Sequence, residues 1–185
     1  MRVIAGEKKG MGLQGPGKSD KTRPTLDAIK ENIFNIFQPI PSGAVVLDLF
    51  AGSGQMGIEF LSRGAGFAYF CEKERSMVKI IEKNLEKTGY QEKAILLQGD
   101  FRRCLGKIDQ PVKIVYLDPP YGHGLIEEAM DLLVEKDKLE ASAIVIVERE
   151  ANEKLKEHPC FQLIFDRTYH TQRIQIYQKK EESEL

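Results

Sequence analysis

The stretch Val45-Val46-Leu47-Asp48-Leu49-Phe50-Ala51-Gly52-Ser53-Gly54-Gln55-Met56-Gly57 constrains the fold of this chain more than any other segment. An apolar run of strand length enters a glycine turn and continues with helical spacing, which reads as a buried strand followed by a crossover helix. Gly52, Gly54 and Gly57 satisfy the spacing G-x-G-x-x-G, where the backbone turns tightly and something comes close to it. The alternation then repeats. Strand-length apolar runs occupy residues 44–49, 67–72, 94–98, 112–117 and 143–148, with helices between them at 55–63, 74–88, 101–106 and 124–136. Two more runs, 161–166 and 173–178, flank Arg167-Thr168-Tyr169-His170-Thr171-Gln172 and read as an antiparallel hairpin. The expectation is an α/β fold, a seven-stranded mixed sheet with helices on both faces.

Acids stand at the ends of three successive strands. Ligands of open α/β sheets lie at those carboxyl ends, near the point where strand order reverses. Asp48 lies before the glycine turn, where it would repel a pyrophosphate but can hold the positive end of a zwitterion, directly or through water. The glycine spacing alone also fits an NAD-dependent dehydrogenase; Asp48 argues against it. A ligand with a nucleoside at one end, an amino acid at the other and no phosphate is S-adenosylmethionine. For that ligand Glu72 would clamp both ribose hydroxyls, and Asp100 would accept from the adenine amino group with Phe101 against the ring. Phe50, Gly52 and Gly54 would form the turn beside it. Each acid alone also reads as a helix cap, Asp100 before Phe101-Arg102-Arg103-Cys104-Leu105 most clearly.

The fourth strand ends in Asp118-Pro119-Pro120-Tyr121. The lone pair of an exocyclic base nitrogen is delocalised into the ring, so the amine is a poor nucleophile. Two acceptors on its N–H groups turn the lone pair toward an electrophilic methyl group. Asp118 supplies one acceptor and the Pro119 carbonyl the other; Pro119 and Pro120 stiffen the turn, and Tyr121 offers a ring on which an unstacked base can lie. A strand end followed by a proline turn accounts for the same residues without chemistry. The tetrapeptide serves guanine N2 and adenine N6 equally.

At 185 residues, 42% apolar and 30% charged, the chain has the composition of one globular domain. No apolar run approaches a membrane span, no leader sequence is read at Met1-Arg2-Val3, and a cytoplasmic protein is expected. Cys71, Cys104 and Cys160 are widely spaced and read as reduced thiols, and His123, His158 and His170 lack metal-ligand spacing. Three segments are read: a basic hairpin arm at 1–22, the main domain at 23–178 and a frayed charged tail at 179–185. The apolar positions between Pro24 and Phe37 mark a helix beside the cofactor. In residues 1 to 23, Arg2, Lys8, Lys9, Lys18, Lys21 and Arg23 outweigh Glu7 and Asp20, although the whole chain carries −1. Such asymmetry points to an arm on phosphates, with Arg2, Lys8 and Lys9 as its contacts; a solvated hairpin is the alternative.

Further marks are Arg2-Val3-Ile4-Ala5-Gly6, Thr22-Arg23-Pro24-Thr25, Phe34-Asn35 and Leu61-Ser62-Arg63-Gly64. With the glycine turn and Asp118-Pro119-Pro120-Tyr121, they make the chain resemble the bacterial RsmD-like family of small-subunit ribosomal RNA guanine-N2 methyltransferases, from Met1 to about Tyr177. The resemblance implies a Rossmann-like class I methyltransferase fold and S-adenosylmethionine as cofactor, with Arg23 and Thr25 at its carboxylate end. It also implies methylation of guanine N2 in 16S rRNA, free or within an assembling 30S particle, by a monomer that needs no metal. Adenine-N6 methylation is the alternative chemistry, and a non-catalytic RNA-binding assembly factor the alternative class. The chain departs from the family at Tyr169-His170, where glycine often follows the tyrosine, and at Gln55-Met56, where smaller or aliphatic residues are usual.

Overall fold

The computed structural model describes residues 1–17, 23–36, 39–120 and 124–181, with 23–29 described by their backbone. Helix α1 (Arg23–Ile36) leads into strand β1 (Val45–Asp48), followed by α2 (Gln55–Ser62), β2 (Phe67–Glu72), α3 (Arg75–Thr88), β3 (Ala94–Gln98) and α4 (Phe101–Leu105). The chain continues through β4 (Val112–Leu117), α5 (Leu125–Glu135), β5 (Leu139–Glu150), β6 (Phe161–Tyr169) and β7 (Gln172–Lys179). The sheet order is β3-β2-β1-β4-β5-β7-β6. The first five strands are parallel, and β7 runs antiparallel between β5 and β6.

Side chains alternate across each strand, and both faces are covered, which is why these strands read as continuous apolar runs. One face carries Val46, Phe70, Ile114 and Ile146 against Ile33 and Phe34 of α1, Ile58 and Phe60 of α2 and Ile81 of α3. The other carries Leu47, Tyr69, Val115 and Val147 against Leu105 of α4 and Ile126 and Leu133 of α5. Three strands are longer than their apolar runs, β5 by extension to Leu139 and Glu150, β6 to Tyr169 and β7 to Gln172 and Lys179. The ladder of β6 and β7 continues through Arg167↔Ile174 to Tyr169↔Gln172, so the polar stretch read as a connection is mostly paired strand. Backbone pairing at an outer hairpin does not require apolar side chains. The turn itself is tight, with His170 at φ 54°, a left-handed conformation that explains why glycine suits this position. Strand β7 also takes in Lys179, and the Lys180 N–H donates to the Cys160 carbonyl at 2.9 Å, so the segment read as a frayed tail begins paired.

Residues 1–13 form a small hairpin, with the Val3 N–H donating to the Met11 carbonyl at 2.9 Å and the Leu13 N–H to the Met1 carbonyl at 2.8 Å. Val3 and Leu13 belong to the core beneath it. The hairpin is tied to α2 by a fully buried carboxylate. Glu59 accepts the N–H groups of Ile4 at 2.8 Å and Ala5 at 3.0 Å, and Arg63 Nε at 2.8 Å. Ser62 adds two more ties, its hydroxyl donating to the Ala5 carbonyl at 2.7 Å and accepting the Lys8 N–H at 3.0 Å. Gly6 lies so close that a Cβ there would sit 1.9 Å from the Ser62 carbonyl oxygen. Residues 2–6 and 61–64 are therefore two sides of one junction. Replacing Glu59 by Ala would strand two inward N–H groups and the Arg63 charge, and is expected to cost on the order of 3 kcal/mol in urea unfolding. A smaller loss is expected for Glu59→Gln, which keeps one acceptor but loses the second and the charge facing Arg63; an unchanged midpoint in Glu59→Ala would mean that the hairpin is not anchored there.

Candidate active site

Strand order reverses between β1 and β4, whose chains leave in opposite directions and open a crevice at their carboxyl ends. A cleft of about 630 Å³ occupies it, lined by Phe50, Glu72, Asp100, Phe101, Asp118, Pro119 and Pro120 among others. A second cavity of about 220 Å³ lies on the α1 side and includes Lys30, Asp48, Gly52, Ser53, Tyr116, Asp118 and Glu148. Phe50 and Asp118 line both, so the two spaces meet at the end of β4.

The acids of β1 and β2 shape the glycine turn. Gly52 N–H donates to Glu72 Oε2 at 2.7 Å, and Gly57 N–H donates to Asp48 Oδ2 at 3.0 Å. Glu72 Oε1 accepts the Glu74 N–H at 2.7 Å. A carboxylate oxygen has two acceptor positions, so Glu72 keeps capacity for a ligand hydroxyl. Gly52 and Gly54 adopt φ of 53° and 76°. Gly57 serves packing, since a Cβ there would lie 2.3 Å from the Phe70 ring; its absence lets α2 sit on β2. Across the cleft, Asp100 caps α4 by accepting the Arg102 N–H at 3.0 Å, and it also accepts from the Arg102 guanidinium. Burial acts to raise its pKa, but these Arg102 contacts outweigh burial and hold it below the usual range. Arg102 pairs with Glu128 and lies over the Phe101 ring at 4.5 Å, and Phe50 packs on Phe101 at 5.2 Å. The cap read as the alternative for Asp100 is thus present, with the side chain still on the cleft wall.

Tyr116, Glu148 and Lys30 of the second cavity escaped the sequence reading. The Tyr116 hydroxyl donates to Glu148 Oε2 in the interior. The pairing Leu117↔Val147 places Asp118 beside Glu148, and Asp48 pairs with Tyr116. By the two-residue period, Asp48, Tyr116, Asp118 and Glu148 all face α1. An acid at the end of the fifth parallel run was the available signal, since the same rule selected Asp48 and Glu72. Burial, with Glu148 and Asp48 adding like charge, pushes Asp118 well above the carboxylate range. Burial also raises Glu148, against the Tyr116 hydrogen bond that lowers it. Asp48 is pushed up to about 7, by burial first and then by Glu72, despite the Gly57 N–H. Lys30 is a buried cation on the same cavity, its Nζ donating to the Arg2 carbonyl at 3.3 Å.

Tyr121 and the side chains of Arg23 and Thr25 lie outside the described residues, as do Lys18 and Lys21. On the hairpin, Arg2 and Lys9 are exposed, whereas Lys8 pairs with Glu7 at 2.8 Å and lies 5.6 Å from the Tyr90 ring centre. Cys71, Cys104 and Cys160 are free thiols. Among the described residues no helix is long and apolar enough to cross a membrane.

A carboxyl whose folded pKa is raised stabilises the fold below its unfolded pKa and loses that contribution as pH climbs through the folded value. Ionised Asp48 therefore opposes folding above about pH 7. Asp48→Asn, which keeps an acceptor for Gly57, is expected to gain about 1 to 4 kcal/mol over the parent at pH 8. The gain should vanish toward pH 4; thermal unfolding at the two pH values checks it, and an equal effect at both would contradict the burial argument.

The family described as Conserved hypothetical protein 95 matches residues 1–178. Over 162 residues the chain is 36% identical to Ribosomal RNA small subunit methyltransferase D of Escherichia coli strain K12, covering 86% of this chain and 80% of the relative. The Haemophilus influenzae protein of the same name is 33% identical over 181 residues, covering 96% and 93%. The solved yhhF protein of Escherichia coli superimposes with a TM-score of 0.85 at 32% identity, over 98% of this chain and 99% of that one. By the family match over nearly its whole length and by these similarities, the chain belongs to the Conserved hypothetical protein 95 family, the RsmD-like proteins, and has the class I methyltransferase fold.

Proposed function

We propose that this protein transfers a methyl group from S-adenosylmethionine to the exocyclic N2 of a guanine in small-subunit ribosomal RNA. The observation that carries the reading is the position of Asp118-Pro119-Pro120 where the two cavities meet, next to the glycine turn. The names of the relatives, small-subunit ribosomal RNA methyltransferases, support the substrate class.

The larger cleft suits an adenosyl group. Its walls are apolar at Leu49, Phe50, Phe101 and Leu125, with Glu72 and Asp100 as acceptors along the rim. Its volume of about 630 Å³ lies within the ordinary range for such ligands. Asp48 and Ser53, which line the smaller cavity, would take the amino-acid end, where a buried carboxyl gains from a nearby ammonium. Arg23 and Thr25 are assigned to the same end. When bound, the cofactor supplies an electrophilic methyl group on a sulfonium.

The protein's part is orientation. Asp118 and the Pro119 carbonyl accept the two N–H groups of the amine and aim its lone pair in line, with Pro120 stiffening the turn and Tyr121 stacking on the base. Transfer would form the N–C bond as the donor's S–C bond breaks, and the amine proton would leave to water or to Asp118. Burial, then Glu148, holds Asp118 well above the usual range, so that once ionised it is a stronger base toward that proton than an exposed carboxylate. Asp118→Ala should bind the cofactor nearly as well as the parent in calorimetric titration and lose about 100- to 1000-fold in single-turnover methylation. Equal rates would remove the tetrapeptide from the reaction. Mass spectrometry of rRNA nucleosides from cells lacking the protein tests the base: loss of N2-methylguanosine supports the reading, whereas loss of N6-methyladenosine favours adenine.

Arg2, Lys8 and Lys9 are proposed to contact phosphates from the hairpin, whose anchoring by Glu59 gives the basic side chains a rigid base. Reversing Lys8 and Lys9 to Glu is expected to weaken rRNA binding and to reduce the log–log salt slope by about 1 to 2, with unchanged cofactor affinity. Both side chains reach solvent, so the folded state should persist. An unchanged slope in the folded double variant would take the arm out of RNA recognition.

A further inference from the structure

The central row of acids has an order set by the sheet. Asp48 ends β1, Asp118 follows β4 and Glu148 stands in β5 just past its last pair with β4, Leu117↔Val147, and because β4 lies between β1 and β5, Asp118 lies between the other two. Neighbouring strands stand about 4.8 Å apart, so the carboxyls form a short file on one face of the sheet. The glycine turn lies at the β1 end of this file and Glu148 at the opposite end. A donor anchored at Asp48 and an amine held at Asp118 leave Glu148 beside the part of the base next to the amine.

We propose that Glu148 selects guanine, its carboxylate accepting the N1–H of the target base while Asp118 accepts from the adjacent N2 amine. The inference rests on the guanine-N2 reading above and adds the residue that reads the base. Guanine presents two neighbouring donors, N1–H and N2–H, whereas adenine presents an acceptor at N1, which a carboxylate repels. Glu148 is held for this task. The Tyr116 hydroxyl occupies Oε2, and no hydrogen bond to Oε1 is present among the described residues. Glu148 is 4% exposed yet lines the cavity, so an arriving donor replaces little water. Among the described residues three carboxyls line this cavity and Lys30 is the buried side-chain cation beside them, which makes it rich in acceptors and suited to a donor-bearing edge. A site built to accept a substrate N–H discriminates strongly against analogues without it, because its buried acceptor is left unpaired.

The test uses an rRNA fragment whose methylated guanosine has been located by mass spectrometry, and a second in which that residue is 2-aminopurine riboside. 2-Aminopurine keeps the amine at C2 but has an unprotonated N1. At pH 8 the parent protein should methylate the guanosine fragment at least about 100-fold faster than the 2-aminopurine fragment. Glu148→Gln, whose amide can donate to N1, should narrow that ratio at least ten-fold with the cofactor Kd unchanged. A packing role for Glu148 would slow both fragments alike, and an unchanged ratio in folded Glu148→Gln overturns the inference. If Glu148→Gln does not fold, the parent alone decides. A fragment with inosine at the target, which keeps N1–H and lacks the amine, should compete more strongly than the 2-aminopurine fragment; equal or weaker competition overturns the role. A parent protein that methylates no guanosine at all overturns the underlying function, and this inference with it.

Discussion

The pairing of β1 with β4, from Val46↔Ile114 to Asp48↔Tyr116, is the constraint on which the rest depends. These strands are neighbours in the sheet but far apart in sequence, and the helices that follow them leave on opposite faces, α2 on one and α5 on the other. No connection crosses the carboxyl end between them, so a crevice must open there. The register aligns the last residue of β1 with Tyr116 and places Asp118 just beyond. Parallel strands need long crossovers to pair at all, and each helix covers the apolar face that its strand presents.

Polar groups around this crevice are used twice. Glu72 and Asp48 bind the N–H groups of the glycine turn and also face the cavities; Asp100 caps a helix and also lines the cleft. A carboxylate that already accepts a backbone N–H is fixed in direction, which reduces the ordering left for a ligand to impose. The cost lies on the α1 side, where Asp48, Asp118 and Glu148 are buried near one another and raised in pKa. Such clustering destabilises the folded chain at neutral pH and stores an affinity for donors and cations. Stability and function oppose each other at these positions.

The N-terminal hairpin links the family marks outside the chemistry. Ile4 and Ala5 meet Glu59, the Ala5 carbonyl and the Lys8 N–H meet Ser62, and Arg63 lies over the Phe34 ring at 4.1 Å. Lys30 of α1 then reaches the Arg2 carbonyl from the wall of the acid cavity. The hairpin, α1 and α2 thus form one packed unit bordering the site, through which a basic surface is held in a fixed relation to the methyl-transfer chemistry.

Much of this protein was legible before folding because the relevant signals are local. An apolar run, a glycine turn and an acid at the strand end are read within a dozen residues, and their repetition prescribes a parallel sheet with a site at its carboxyl ends. Asp48, Glu72 and Asp100 were singled out by that rule, and Asp118 by the tetrapeptide it opens. The sequence did not reveal the partner of Asp118, because Glu148 is brought beside it only by the β4–β5 register. Nor did it reveal that Gly57 clears space for Phe70, or that Glu59 receives a hairpin more than fifty residues away. The outer strands were underestimated because their pairing is carried by backbone hydrogen bonds and leaves little trace in side-chain polarity. Residue type and order determined which chemistry the strand ends can offer; the pairing of distant strands decided which of those groups meet, since side-chain direction and register are properties of the assembled sheet.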